Sequence, residues 1–409
     1  MNKKVNLDAD VIIVGGGLVG CTLAALLAKQ DIRCLIVEAN KGLSMASHTL
    51  TDPRALAITR ASENILHTAG AWTQLPEDKI GHFREMHVWD ENGSGEIHFD
   101  SADLCESTLG YIIEQTILEA ALHEALEQLD CIEWCRPATP VTLIQEKDKA
   151  SITLEDDRKL SASLVVGADG ARSKIRALAG IDYPQRDYHQ QAVACVIKTE
   201  RPHGQVARQR FLNNGPLAFL PMADPQQCGI VWSTLPDHAD SLLAMDEQEF
   251  EHTLGQAFDD TLGEVLFSGP RVSFPLQHAQ AESYCQLRLA LVGDAAHSVH
   301  PLAGQGANLG LLDAATLAEV ILEANNKNRD IGAYAVLRRY ERWRKGENLA
   351  MLKLLQGFKY LFESKLQGIR RIRNLGLDLT DKATPLKHLI MRHAMGLAGD
   401  LPAFAREQV

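Results

Sequence analysis

The residues from His300 to Asp313, HPLAGQGANLGLLD, combine a proline, three glycines and side-chain amides in a pattern that suits a large planar cofactor. Glycine has no Cβ, so the backbone N–H groups of such a loop can approach a ligand closely. The N-terminus of a following helix adds the positive end of a dipole, which would stabilise a flavin that becomes anionic on reduction. The alternative is an ordinary strand-to-helix connection with a glycine-rich turn.

A second group of glycines, residues 15–20 (GGGLVG), directly follows the apolar run Asp10–Val14. Residues 21–30 predict a helix, and residues 33–37 predict a second buried strand that ends at Glu38. Strand, glycine turn, helix, strand and acidic residue therefore occur in the order of a dinucleotide-binding unit.

Each position of this unit has a physical role. Gly15 would form the tight turn, Gly17 would let a pyrophosphate contact the backbone, and Gly20 would allow the helix to pack closely. The carboxylate of Glu38 would accept hydrogen bonds from ribose hydroxyls. The unit does not by itself distinguish FAD from NAD.

Composition limits the possible classes of protein. The chain has 409 residues, 45% of them hydrophobic and 23% charged, which predicts a soluble protein of two or three domains. No apolar run approaches the roughly 18 residues that span a bilayer, and residues 1–4 lead directly into the first strand, so we expect a cytosolic protein without a signal peptide. The net charge of −12 argues against nucleic acid as a partner.

Cysteine and histidine spacing argues against a metal site. The eight cysteines are scattered, and the only close pair, Cys131 and Cys135, has no second pair to complete a zinc site. We expect reduced, mostly buried thiols. The fifteen histidines show no metal-binding spacing, so His297 and His300 are interpreted as loop or supporting residues.

Positive charge is concentrated between Arg338 and Arg392, which carries about +9 while the rest of the chain carries about −21. Basic, apolar, helix-forming sequence of this kind can lie on an anionic membrane surface. The alternative is a pair of C-terminal helices that pack on the protein and expose a solvated basic face.

Between these ends, the chain changes from helical to strand character. Residues 109–128 show apolar spacing typical of a helix, residues 163–170 predict another buried strand and turn, and residues 173–179 begin a helix. Residues 191–233 predict successive strands without intervening helices, which favours an antiparallel sheet. The chain shows no low-complexity linker, so we expect the second domain to be inserted into the first.

Three motifs carry a family resemblance. The glycine turn at residues 15–20, the GADGARS segment at residues 167–173 and the Gly293-Asp294 pair resemble, in order and spacing, the motifs of class A flavoprotein aromatic hydroxylases. The segment from His300 to Asp313 resembles the narrower signature of the ubiquinone-biosynthesis hydroxylases, the UbiH/UbiF/VisC family. Within it, the chain is most similar to the 2-polyprenylphenol hydroxylase members.

The resemblance implies an α/β fold like that of para-hydroxybenzoate hydroxylase. Its parts would be a Rossmann-like FAD-binding domain, an inserted antiparallel β-sheet substrate domain and a C-terminal helical region. The FAD-binding domain is predicted at residues 1–75, 103–182 and 286–345, the substrate domain at 76–102 and 183–285, and the helical region at 346–409.

The resemblance also implies an activity. NAD(P)H would reduce bound FAD, O₂ would form a C4a-hydroperoxyflavin, and that species would hydroxylate the aromatic ring of a polyprenylphenol. A ubiquinone-biosynthesis protein complex is a further expected partner. The alternatives are a flavin reductase or oxidase acting on a prenyl lipid, and a flavin-containing non-catalytic subunit of a lipid-handling complex.

Site residues follow from the resemblance, and none is assigned a catalytic role because the flavin performs the chemistry. The expected cofactor-binding residues are Gly15, Gly17, Gly20, Glu38, Arg54, Gln115, Asp169, Asp294, Pro301, Gly304, Gln305, Gly306, Ala307 and Asn308. Phe219 and Pro221 are the expected substrate-pocket residues, although an apolar strand pair is also typical of a core.

Overall fold

A computed structural model describes residues 7–41, 54–91, 95–298, 305–363 and 384–407. Its strands are β1 (Ala9–Val14), β2 (Cys34–Val37), β3 (Ala55–Thr59), β4 (Gly81–Phe83), β5 (Glu85–Asp90), β6 (Glu96–Asp100), β7 (Gly110–Glu114), β8 (Ile132–Cys135), β9 (Pro140–Gln145), β10 (Ala150–Leu154), β11 (Lys159–Gly167), β12 (Gln185–Thr199), β13 (Val206–Leu212), β14 (Gly215–Pro221), β15 (Gln227–Thr234), β16 (Val265–Ser268), β17 (Val272–Gln280), β18 (Cys285–Gln286), β19 (Leu289–Leu291) and β20 (His297–Ser298). Its α-helices are α1 (Leu18–Ala28), α2 (Arg60–Ala69), α3 (Gln115–Glu127), α4 (Lys174–Leu178), α5 (Pro236–Ala244), α6 (Glu247–Ala257), α7 (Gln305–Asn326), α8 (Tyr334–Glu363) and α9 (Thr384–Ala394).

The first sheet contains a parallel core in the order β19-β11-β1-β2-β8. Strands β1 and β2 are almost entirely buried, as expected for continuous Val, Ile and Leu runs covered on both faces. Helix α1 packs against α3 and α7, and the largest hydrophobic core surrounds this sheet. The carboxyl ends of β1, β2, β8 and β11 thus meet at one edge, where nucleotide ligands bind in open α/β sheets.

The second sheet has the order β20-β17-β12-β15-β14-β13-β5-β6, with β16 beside β12. Its pairs are antiparallel except for β13 and β5. Residues of α5 and α6 cover one face and form a separate core with Phe250 and Leu254 at its centre. A three-stranded sheet, β3-β7-β4, completes the fold. The predicted architecture, a Rossmann-like unit combined with an antiparallel sheet, is confirmed.

The predicted helix at residues 109–128 is wrong in its first turn and a half. Residues Gly110–Glu114 form strand β7, which pairs with β3 and β4, and helix α3 begins only at Gln115. A short apolar run fits either a buried strand or a buried helix. The β-branched side chains of Ile112 and Ile113 and two available strand partners decide in favour of the strand.

Two further observations bear on the sequence predictions. No helix in the described ranges is both long enough and apolar enough to cross a membrane. All eight cysteines are free thiols, six of them buried, as predicted. Burial raises the pKa of Cys195 and Cys228 to about 12, so these thiols are not poised as nucleophiles.

Candidate active site

The glycine turn after β1 needs glycine at two positions for steric reasons. Gly15 has a φ of +110°, and a Cβ on it would lie 2.3 Å from the carbonyl oxygen of Ala168. A Cβ on Gly20 would lie 2.0 Å from the carbonyl oxygen of Gly15. A Cβ on Gly17, at the N-cap of α1, would meet only Glu119 Oε1 at 3.6 Å, so a ligand has room to reach the backbone there.

Glu38 is held beside this turn at the end of β2. Its Oε2 accepts a hydrogen bond from the backbone N–H of Gly16 at 2.7 Å. Its Oε1 accepts from the backbone and side-chain N–H groups of Asn40 at 2.8 and 2.9 Å. These bonds fix the orientation of the carboxylate, and Oε2 keeps acceptor capacity for a ribose hydroxyl.

Arg136 is a residue of this edge that sequence reasoning missed. It directly follows β8, whose Cys135 pairs with Val37 of β2, and its guanidinium lies 4.2 Å from the centre of the Trp134 ring. Its Nη1 is buried and has no hydrogen-bond partner among the described residues. An unsatisfied cationic donor beside a glycine turn fits the phosphates and polar edge of a dinucleotide. The position of Arg136 just after a parallel strand was the available signal.

Other predicted cofactor residues surround a cavity of about 530 Å³. The backbone N–H of Gln115 donates to the carbonyl oxygen of Arg54 at 3.0 Å, so the strand pair β3-β7 brings these two residues together. Lining residues that sequence analysis predicted for the cofactor are Gly17, Arg54, Gln115, Asp294, Gln305, Gly306 and Ala307. The predicted residues Pro301 and Gly304 lie outside the described residues.

Asp294 lies in a 3-10 turn, Gly293–Ala295, that follows β19. Its side chain is accessible from the cavity, while the protein around it raises the pKa of its carboxyl by desolvation. A hydroxyl of a bound ligand that donates to this carboxylate would favour its ionised form.

Two predicted cofactor residues have other partners in the structure. Asp169 lies beside the N-terminus of the short helix α4, where its carboxylate accepts from Ser173 Oγ and the backbone N–H of Lys174 at 2.5 and 2.7 Å. The buried Asn308 accepts from the backbone N–H of Thr59 at 3.0 Å and donates to the carbonyl oxygen of Ala57 at 2.7 Å. Neither is among the residues that line the cavity, so the structure gives both a supporting position in its walls, and their contact with the cofactor stays a prediction.

The predicted substrate residues face away from the cavity. Phe219 is 2% exposed and stacks on Phe258, with ring centres 3.7 Å apart, in the core beneath α5 and α6. Pro221 lies two residues further along the same strand, so its side chain is on the same face, and it is also buried. Their neighbours Ala218 and Leu220 line the cavity instead. The two predicted residues thus lie on a cavity-lining strand but on its opposite face, because successive side chains alternate sides.

A large part of the cavity wall is apolar. One contiguous hydrophobic cluster joins strands β4 to β6 and the loop before β7 to helix α9. Its cavity-lining members are Phe83, Met86, Phe99, Leu109, Met391 and Met395. This surface suits an apolar ligand much larger than a single aromatic ring.

A buried ionic network lies directly behind the Gly293-Asp294 turn. The Asp313 carboxylate is fully buried and accepts from Arg344 Nε at 2.7 Å, from His297 Nε2 at 2.5 Å and from the backbone N–H of Gly293 at 3.1 Å. The charges of His297 and Arg344 outweigh desolvation and lower the pKa of Asp313 to about 2. His297 was expected only to support the loop, and the three residues that bond to Asp313 lie 16 to 31 residues from it along the chain.

The chemistry of the described residues points to a bound redox cofactor. No cluster of three or more potential metal-ligating side chains occurs in the part of the chain that the structure describes. The glycine cradle, the Glu38 carboxylate and the Arg136 donor, which lacks a partner in the described part of the chain, all fit FAD. When bound, FAD supplies the redox and oxygen chemistry, and the protein binds, orients and shields it.

Comparisons with known proteins agree with this site. Residues 8–348 match a family model described as FAD binding domain. The chain is 38% identical over 390 residues to the ubiquinone hydroxylase UbiL of Rhodospirillum rubrum, covering 95% of this chain and 90% of that one. It is 34% identical over 394 residues to the 3-demethoxyubiquinol 3-hydroxylase of Escherichia coli, covering 96% and 100%. The crystal structure of p-nitrophenol 4-monooxygenase PnpA from Pseudomonas putida superposes with a TM-score of 0.78 at 20% identity, covering 97% of this chain and 99% of that one.

Fold, site and relatives together define a flavoprotein monooxygenase that binds FAD and uses NAD(P)H and O₂ as co-substrates. More specifically, the chain belongs to the UbiH/UbiF/VisC family of class A flavin hydroxylases. The resemblance inferred from its three motifs is therefore confirmed.

Proposed function

We propose that this enzyme hydroxylates the aromatic ring of a polyprenylphenol intermediate in ubiquinone biosynthesis. The proposal is supported by the continuity of the cavity, whose lining includes both the predicted cofactor residues Arg54 and Asp294 and the apolar cluster around Met86 and Met391. A substrate with its phenol ring near the flavin and its prenyl tail against that cluster would fill both the polar and the apolar region of the cavity. The names of the relatives in Rhodospirillum rubrum and Escherichia coli support the same pathway.

The residues divide the work of this reaction. The glycine turn and Glu38 would hold the ADP half of FAD, while Arg54, Gln115, Asp294 and the start of α7 would hold the flavin half. Apolar side chains around the ring exclude water, which strengthens polar interactions at the reacting atoms and limits unproductive release of peroxide.

Dependence on tail length tests this substrate class. We expect kcat/KM to rise by about tenfold or more from the unprenylated phenol to short-chain prenylphenols, because each isoprene unit buries additional apolar area. Ala394 of α9 lines the cavity, and Ala394→Trp would introduce a bulky side chain there. This variant should lower kcat/KM for the prenylphenols more than kcat/KM for the unprenylated phenol. Equal kcat/KM values for the phenol and its prenylated forms would argue against a polyprenylphenol substrate.

We further propose that helix α9 contacts an anionic membrane surface. Met391 and Met395 face the cavity, whereas Leu389 is 53% exposed and Arg392 and His393 are also exposed. This helix therefore joins the apolar cavity to an apolar and basic outer face, as peripheral binding requires. The basic triplet Arg370, Arg371 and Arg373 lies outside the described residues.

Flotation with anionic liposomes tests the membrane contact. The double variant Leu389→Ser, Arg392→Glu should float less than the wild-type protein, while Arg33→Glu, at an exposed site on the first sheet, should float equally. Unchanged flotation of the double variant would reject α9 as the membrane-binding element.

A further inference from the structure

The antiparallel sheet presents a row of small residues to the cavity, with one amide at its end. Ala194 of β12 pairs with Val231 of β15, Val231 pairs with Ala218 of β14, and Ala218 pairs with Gln209 of β13. All four residues line the cavity. Because cross-strand partners lie on the same face of a sheet, the carboxamide of Gln209 stands beside an open apolar surface.

Four other polar residues of the lining are placed differently. Arg54, Gln115 and Asp294 come from elements assigned above to the flavin. Arg208, the neighbour of Gln209, donates from Nη1 to the carbonyl oxygens of His203 and Val206 at 2.8 and 3.2 Å. The guanidinium of Arg208 is therefore occupied by the loop before β13.

A carboxamide suits recognition of a substituted phenol. Its oxygen accepts a hydrogen bond from a phenolic O–H, and its N–H groups donate to a ring oxygen that lacks a proton. In a largely apolar cavity, a polar group of the substrate that lost this partner would stay desolvated and unpaired. One such bond discriminates strongly between ligands that carry the oxygen substituent and ligands that do not.

We propose that Gln209 is the substrate-orienting residue, whose carboxamide binds the ring hydroxyl and thereby determines which ring carbon faces the flavin. This inference rests on the proposed function, because it assumes a phenolic substrate. The small side chains of Ala194, Ala218 and Val231 provide the surface on which the ring lies, and Gln209 fixes its rotation on that surface.

The test uses the FAD-loaded enzyme and the variant Gln209→Leu, which keeps approximate volume and removes the amide. We expect normal FAD content, about tenfold weaker binding of a short-chain prenylphenol by titration of the flavin absorbance, and more peroxide per NADPH oxidised. Binding of the corresponding prenylbenzene, which has no ring oxygen to pair with the amide, should change by less than about threefold. Gln209→Asn, which retains a shorter amide, should fall between the wild-type enzyme and the leucine variant.

Gln185→Leu is the matched control, since Gln185 lies on β12 of the same sheet and is exposed to solvent outside the cavity lining. If the wild-type enzyme hydroxylates the prenylphenol and Gln209→Leu matches it in affinity, coupling and product isomer, the inference about Gln209 is overturned while the proposed function stands. If the wild-type enzyme neither binds nor hydroxylates the phenol, the proposed function fails and the inference fails with it.

Discussion

The buried carboxylate of Asp313 accepts a hydrogen bond from the backbone N–H of Gly293, 3.1 Å away. This bond ties helix α7 to the turn that carries Asp294, so the position of a proposed FAD-binding residue depends on a residue that does not line the cavity. Arg344 and His297 neutralise the Asp313 carboxylate from two other sides. The network therefore couples the stability of the fold to the geometry of the flavin site.

Asp313→Asn should destabilise the protein and weaken its hold on FAD. Removing the charge leaves Arg344 buried beside a neutral partner, and breaking a buried pair of this kind typically costs about 3–5 kcal/mol of unfolding free energy. Chemical denaturation and FAD release measured by fluorescence check both effects. Asp156→Asn, which removes the exposed ion pair with Arg158, should cost less than about 1 kcal/mol. Equal losses in the two variants would contradict the role given to Asp313.

The same carboxylate predicts a pH dependence of stability. Its folded-state pKa of about 2 lies below the unfolded value of 3.8, so its ionised form stabilises the native state above pH 4. That contribution, about 2 kcal/mol, should disappear as the pH falls from 4 to 2. The unfolding free energy, measured by chemical denaturation at several pH values in this range, should fall more steeply with decreasing pH for the wild-type protein than for Asp313→Asn. Equal slopes for the two proteins would contradict the assignment.

Gly20→Ala should impair folding and FAD binding together. The added Cβ would lie 2.0 Å from the carbonyl oxygen of Gly15, so the glycine turn must shift at a cost of about 2 kcal/mol or more. Gly346→Ala in α8 is the control, because its Cβ would meet no atom within 4 Å and alanine favours a helix by up to about 1 kcal/mol. Thermal unfolding and FAD content distinguish the two, and a Gly20→Ala protein with full FAD content would refute the steric argument.

Arg136→Met should separate cofactor affinity from stability. The Nη1 donor has no partner among the described residues, so its loss should leave unfolding of the FAD-free protein within about 1 kcal/mol of wild type. FAD affinity should fall by about tenfold, since a charge-assisted contact to the ligand is removed. Equilibrium titration with FAD measures this fall, and Arg33→Met on the exposed surface should show none. Unchanged affinity in Arg136→Met would remove Arg136 from the site.

Local patterns in the sequence predicted the parts of the structure that depend on local geometry. The GGGLVG turn, the strands around it and Glu38 follow from backbone sterics and hydrophobic runs within 40 residues. The choice between Phe219 and its neighbours depended on which face α5 and α6 cover, and no local pattern records that. Likewise, the strand at Gly110–Glu114 forms because β3 and β4 supply partners.

Long-range polar contacts were also beyond sequence analysis. Asn308 was expected beside the flavin because of its place in the glycine-rich segment, yet its amide bonds to the backbone about 250 residues earlier in the chain. Arg136 was missed because its importance depends on the parallel pairing of β8 with β2. Such contacts are set by tertiary packing rather than by spacing.

The most direct test of the central claim is oxidation of NADPH by the FAD-loaded enzyme under ¹⁸O₂ with a short-chain prenylphenol, with product mass and peroxide followed together. We predict a product that contains one ¹⁸O atom and one additional ring hydroxyl, formed nearly in step with NADPH consumption. Peroxide as the sole product, with the phenol recovered unchanged, would contradict the assignment of this enzyme as a prenylphenol hydroxylase.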